Sequence, residues 1–179
     1  MRKILYIFGL LSDADVEWIA RTGIQKRLRD GDVLIREGEQ TDSLMFLLDG
    51  ELLASNRTLG QFARMGVGEI VGEVSLVDSA PPSATITASG EGRALFLSKE
   101  ALMKKLSADN GFGSRFYQAL AVFLADRLRE ARGAQGNRSM NEATVADDEL
   151  DTGILARVST AGDRFNQMLK TLGSARPAA

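Results

Sequence analysis

The 179-residue chain contains no cysteine and no histidine. Disulfides, thiolate catalysis and iron–sulfur clusters are therefore excluded, together with most zinc and haem sites. The commonest general acid–base group is missing too. The carboxylates are scattered without a paired base or metal set, so no catalytic constellation and no metal site are expected. Charge of one sign is also lacking. A net charge of −2 gives no long-range pull toward nucleic acid or an acidic membrane. Long apolar runs are absent at the N-terminus, where Ile4 to Leu11 follows Arg2-Lys3 but gives way at once to Ser12-Asp13-Ala14-Asp15. That run is too short to cross a bilayer and carries no small-residue cleavage site, so it is expected to pack on the domain, with no membrane insertion. The cytoplasm is the expected location. What is present suffices for a real core: 44% of residues are apolar and 26% charged, in a length that fits one domain with an appendage.

Ser12 with Asp15 makes a capping pair for a helix over Asp13 to Arg21, with Val16, Ile19 and Ala20 on its apolar face, Trp18 at its edge and Gly23 ending it. From Ile24 to Leu53 the pattern changes to short aliphatic strands broken by turns. Asp30-Gly31 signals a hairpin, Glu37 to Asp42 a polar turn before the strand Ser43 to Leu48, and Asp49-Gly50 a turn into Glu51 to Ala54. A small antiparallel barrel is expected.

The stretch Gly66 to Ala88 organises the rest. Gly68-Glu69 and Gly72-Glu73 precede a short helical turn over Val74 to Asp78, a Pro81-Pro82 break, and the β-branched segment Ser83-Ala84-Thr85-Ile86-Thr87. Glycine lets backbone N–H groups approach a bound group, and a helix start adds unsatisfied donors, which together suit a phosphate-sized anion. Glu73 is placed to accept a sugar hydroxyl beside it. Read without a ligand, Ser75, Ser83 and Thr85 satisfy backbone at a turn, Glu73 caps a helix start, and Glu69 ends a strand.

Gly72-Glu73-Val74-Ser75-Leu76 followed by Ser83-Ala84-Thr85 resembles, in order and spacing, the phosphate-binding cassette of cyclic nucleotide-binding domains, and the resemblance extends over about residues 8 to 132. It implies an α+β fold with a jelly-roll barrel and flanking helices. It also implies a ligand pocket at Gly72, Glu73, Val74, Ser75, Ser83, Ala84 and Thr85, with cyclic AMP or another cyclic nucleotide as ligand; no cofactor is otherwise required. One position departs. Where the family places the arginine that grips the cyclic phosphate, this chain has Pro82, which has neither charge nor N–H. The lost charge-assisted bonds amount to about 1.5–3 kcal/mol, roughly one to two orders of magnitude in affinity. Arg64 and Arg93 lie in loops on either side of the cassette; each reads more simply as a solvated charge than as a substitute.

After the strand Ala94 to Leu97, Ser98 caps a helix with Leu102, Met103 and Leu106 inward, and Asn110-Gly111 breaks it. The helix Ser114 to Arg132 carries the stripe Phe116, Leu120, Phe123, Leu124 and Leu128, with Arg127, Arg129, Glu130 and Arg132 toward water. In the resembled family this helix closes the pocket and pairs with its twin, so a homodimer is expected. Residues 1–132 are read as the domain, 133–149 as a flexible linker, and 150–179 as a heptad-patterned helix and tail. Its seam is Ile154, Val158, Ala161, Phe165, Met168 and Leu172, which calls for a partner: its twin, its own barrel or another protein. The segment after Arg138 is too short and too acidic for the winged helix of the family's transcription factors, so direct DNA binding is not expected. Two roles follow. One is a non-catalytic regulatory or adaptor protein with a degenerate cassette, acting through dimer and partner contacts. The other is a live cyclic-nucleotide sensor that signals by movement of its C-terminal helices.

Overall fold

The computed structural model describes the backbone of residues 7–78, 80–136 and 152–174, and within these the side chains of 7–78, 80–129 and 160–172. A helical turn over residues 7–10 leads into α1 (Asp13–Thr22). Six strands follow, β1 (Ile24–Leu28), β2 (Val33–Ile35), β3 (Ser43–Asn56), β4 (Gly60–Met65), β5 (Ile70–Val71) and β6 (Thr85–Ser98), with the four-residue helix α2 (Val74–Val77) between the last two. Three helices complete the described chain: α3 (Lys99–Ala108), α4 (Asn110–Gly136) and α5 (Thr152–Ser174). The α+β architecture is the expected one. The antiparallel sheet runs β1-β6-β3-β4, with β2 also on β6 and β5 also on β3; β1 and β4 remain as edges, so the sheet is not closed.

Two strands carry the sheet, and this is where local turn signals misled. Asp49-Gly50 does not end a strand. β3 passes straight through it as a fourteen-residue strand whose register with β6 slips on both sides of Asp49. Gly50 is needed there: it has φ 89°, and a Cβ would stand 2.8 Å from the Glu91 carbonyl oxygen of the opposing strand. Likewise Thr85 to Thr87 and Ala94 to Leu97 are one strand, β6, with Arg93 inside the ladder opposite Arg27 and Asp49. Asp30-Gly31 turns the chain, but β1 and β2 both pair with β6 instead of with each other. Asn110-Gly111 begins α4. The Asp109 carboxylate accepts from the Phe112 N–H at 2.9 Å and so caps the first turn that the glycine would otherwise weaken. At its other end α4 runs through 133–136, which the sequence assigns to the linker; residues 137–149 lie outside the described ones.

Two cores result. One fills the sheet's inner face with Met45, Leu47, Leu52, Met65, Val71 and Ile86. The other joins the sheet's outer side to the helices through Phe46, Leu95, Phe112, Phe116, Phe123 and the N-terminal Phe8. α1 buries Val16, Ile19 and Ala20 as predicted, and its capping box forms: Asp15 N–H donates to Ser12 Oγ at 3.3 Å and Ser12 N–H to Asp15 Oδ2 at 2.8 Å. α3 starts on the Ser98 cap and buries Leu102 and Leu106, whereas Met103, expected inward, is exposed. The C-terminal seam finds its partner in the same chain. Ala161, Phe165, Met168 and Leu172 of α5 are buried in the helical core with Ile7, Phe8 and Leu11; the side chains of Ile154 and Val158 lie outside the described residues.

Asp15 has a second task. Its nearly buried carboxylate accepts from Arg115 of α4 at both oxygens, at 2.6 and 2.9 Å. Burial would raise its pKa, but the bonds from Arg115 and from the Ser12 backbone and hydroxyl outweigh that and hold it below the ordinary carboxylate value. A depressed folded pKa contributes stability above the unfolded value and loses it as pH falls through the folded one. Urea unfolding followed from neutral pH down to the acid range should therefore show the gap between wild type and Asp15→Asn narrowing as pH drops below the ordinary carboxylate value. A gap constant with pH would refute the assignment.

Candidate functional site

The cassette begins where β5 pairs with Met45 and Phe46 of β3. Gly72 follows with φ 89°, and a Cβ there would sit 2.6 Å from the Ser43 carbonyl oxygen. Only glycine can pass this close to β3 in a left-handed conformation, so the residue is required by the fold before any ligand is considered. Its turn delivers Glu73 to the start of α2, but the carboxylate makes no cap bond to that helix. It points instead into the protein, 1% exposed, and meets Arg127 of α4.

Arg127 is the residue that sequence reading misplaced. Expected in water, its guanidinium lies between the cassette and α4. Nη1 donates to Glu73 Oε1, while Nη2 donates to the Ile70 carbonyl at 3.0 Å and lies 3.4 Å from Glu69 Oε2. It packs over the Phe123 ring at 4.7 Å and reaches Met65 Sδ at 3.6 Å. The reason is helical phase: Phe116, Leu120, Phe123 and Arg127 recur at spacings of four, three and four, one face of an α-helix. Phe116, Leu120 and Phe123 are buried as predicted, Leu124 is half-buried, and Leu128 turns out to be 53% exposed. That spacing is the signal in the sequence that places Arg127 on this face, although arginine is usually solvated. Burial pushes the Glu73 carboxyl above the ordinary range, a shift that the Arg127 charge only partly offsets.

The remaining cassette residues do not converge on one point. Val74 is exposed. Ser75 Oγ accepts from Lys99 Nζ at 2.6 Å and lies 3.4 Å from the Gly72 carbonyl as a donor. Partial burial lowers the Lys99 pKa against the opposing charges of Asp42 and Glu73. Ser83 is exposed in the bend before β6, and Ala84 packs on the inner core. Thr85 Oγ1 accepts the Glu37 N–H at 3.1 Å and borders an open cleft of about 320 Å³ with Arg36, Ser55 and Arg57. Pro82 has a structural task, its carbonyl accepting the Gly38 N–H at 2.8 Å. The two arginines expected in loops lie in strands instead, and each is paired with an acid: Arg64 of β4 with Glu51 at 2.7 Å and Arg93 of β6 with Asp49 at 3.5 Å. Among the described residues no group of three or more acidic side chains is arranged to hold a metal ion, and no helix is long and apolar enough to cross a membrane.

Residues 25–109 match the family model of the cyclic nucleotide-binding domain. Among solved structures, the chain is similar to a cyclic nucleotide-binding domain from Methylobacillus flagellatus KT, at 26% identity over 79% of this chain and 85% of that one, with a TM-score of 0.68. The N-terminal domain of a transcriptional regulator from Streptomyces coelicolor A3(2) is 27% identical over 81% of this chain and 96% of that one, with a TM-score of 0.57. The catabolite activator protein of Thermus thermophilus shares the fold at 19% identity, over 97% of this chain and 91% of that one, with a TM-score of 0.61.

The Glu73–Arg127 contact sets a measurable cost. Removing the guanidinium leaves a buried carboxylate without its cation, so Arg127→Ala should destabilise the fold by about 3–5 kcal/mol in urea unfolding. Adding Glu73→Gln to that variant should recover a good part of the loss. If the costs of Arg127→Ala and Glu73→Gln measured singly simply add in the double variant, the pair is not coupled.

Proposed function

We propose, from the match of residues 25–109 to the family model of the cyclic nucleotide-binding domain, that this chain is a non-catalytic regulatory or adaptor module whose cassette is held from inside the chain. The observation that carries this reading is the seat of Arg127. A group of the chain's own occupies the acid that a sugar hydroxyl would use, and it comes from α4, the helix whose movement would signal. Pro82 at the arginine position, with neither charge nor N–H to offer a phosphate, supports the same reading. The module then acts in the cytoplasm through protein contacts. Leu128 is exposed and Leu124 half-buried on the flank of α4 that the rest of the domain leaves uncovered, which supports a homodimer along that helix. The described part of the α5 seam is buried in cis, so capture of a protein partner by that seam requires α5 to undock.

One observation favours the sensor reading beside it. Glu73 keeps its place at the head of the cassette, and Arg127 takes its Oε1; a cyclic nucleotide that displaced the guanidinium would release α4 by population shift.

Calorimetric titration with cyclic AMP and cyclic GMP separates the two. The adaptor reading expects no saturable heat from wild type, with Pro82→Arg either gaining a signal (a pocket kept without its grip) or staying silent (a pocket lost). Saturable binding by wild type that weakens in Glu73→Gln would overturn it in favour of the sensor. For the dimer, sedimentation velocity should show Leu128→Asp shifted from dimer to monomer with the helical content unchanged; a wild type that is monomeric at all concentrations contradicts that part.

A further inference from the structure

The first turn of α1 carries two acids, and an arginine from a different C-terminal helix takes each. Asp13 Oδ1 accepts from Arg164 Nε of α5 at 2.5 Å, and the same arginine donates through Nη1 to the Phe8 carbonyl at 3.0 Å. Asp15 is held by Arg115 of α4 in a two-point contact. The Ser12–Asp15 capping box fixes the backbone between the two acids, so the arginines grip one rigid piece. Apolar contacts repeat the pattern. Phe8, fully buried, lies with ring centroids 6.1 Å from Phe165 of α5 and 6.3 Å from Phe46 of β3. Trp18, the only tryptophan, meets Phe112 of α4 edge-on at 5.4 Å. Residues 7–22 are thus a shared floor for α4 and α5.

We propose that α5 is an internal strap whose docking on this floor is coupled to the seating of α4 against the sheet, so that loosening one loosens the other. Close-packed interfaces of this kind switch between arrangements instead of deforming continuously, and α1 is the element that both helices bias. Docked, α5 hides Ala161, Phe165, Met168 and Leu172; undocked, it presents them as an apolar stripe. Movement of α4 is thereby converted into exposure of a binding face. The coupling does not depend on whether a nucleotide or a protein moves α4.

Hydrogen exchange on the full chain tests it without any ligand, with acrylamide quenching of Trp18 as a second readout. Arg164→Ala should raise exchange in residues 110–123 of α4 at least about fivefold, and expose Trp18 to quencher, while the central parts of β3 and β6 keep their protection. Arg164→Lys keeps the charge but loses the fork to the Phe8 carbonyl and should give a smaller change of the same distribution; it decides the question if the alanine variant does not fold. Because coupling is reciprocal, Arg115→Lys should in turn raise exchange in α5. Faster exchange confined to α5 and residues 7–13 would overturn the proposal. So would an equal rise across β3 and β6, which would mean a general loss of stability.

Discussion

A carboxylate taken out of water must be neutralised where it stands, and at Glu73 this constraint reaches through most of the molecule. Leaving the charge unpaired costs several kcal/mol, so a cation has to be delivered to the spot. Arg127 can do that only if α4 presents the face that also carries Phe116, Leu120 and Phe123. The carboxylate in turn reaches the arginine because Gly72 turns the chain in a left-handed conformation directly against Ser43 of β3. Strand, turn, cassette and helix are therefore tied by one contact. The aromatic stripe supplies most of the burial, and the ion pair fixes the rotation and axial position at which α4 sits.

The N-terminal segment plays the matching part within the same helical core. An amphipathic helix such as α5 is marginal alone and will take the first apolar surface available to it. A surface in the same chain has the advantage of high effective concentration over a partner in solution. Residues 7–11 and α1 offer such a surface, and Arg164 adds polar register through Asp13 and the Phe8 carbonyl. The heptad-like spacing of α5 is thus explained without a second helix of the same kind: Phe165 stacks near Phe8, and Ala161 gives a close approach.

The sequence made legible whatever is decided locally. The Ser12–Asp15 box, the Ser98 cap, the apolar face of α1 and the left-handed turns at Gly68 and Gly72 all form. It misled where a local signal was overridden by pairing at a distance. Asp49-Gly50 looks like a strand end, and Ser83 to Thr87 and Ala94 to Leu97 look like separate strands, yet β3 and β6 are each continuous, because bulges absorb the extra residues while the flanking aliphatic stretches stay in register. Asn110-Gly111 looks like a break, and the Asp109 cap turns it into a helix start. The candidate site was legible as a motif and not as a network. Nothing near Glu73 in the sequence names Arg127 or Lys99, which arrive from positions 54 and 26 residues further along the chain by tertiary packing.

The electrostatics of the cassette bear on its use. Binding a cyclic phosphate tightly asks for uncommitted positive charge, since backbone donors and hydroxyls alone hold an anion weakly. Here Arg64 faces Glu51, Arg93 faces Asp49, Arg127 faces Glu73 with Glu69 close by, and Lys99 is set against Asp42 and Glu73. An anion that used one of these four would have to draw it away from its acid, and at Arg127 that means stranding a buried carboxylate. The cost falls on the contact that seats α4. A ligand able to meet it would move the helix by the act of binding, and one unable to meet it would not bind. In either case the cassette and α4 are bound together through the Glu73–Arg127 contact.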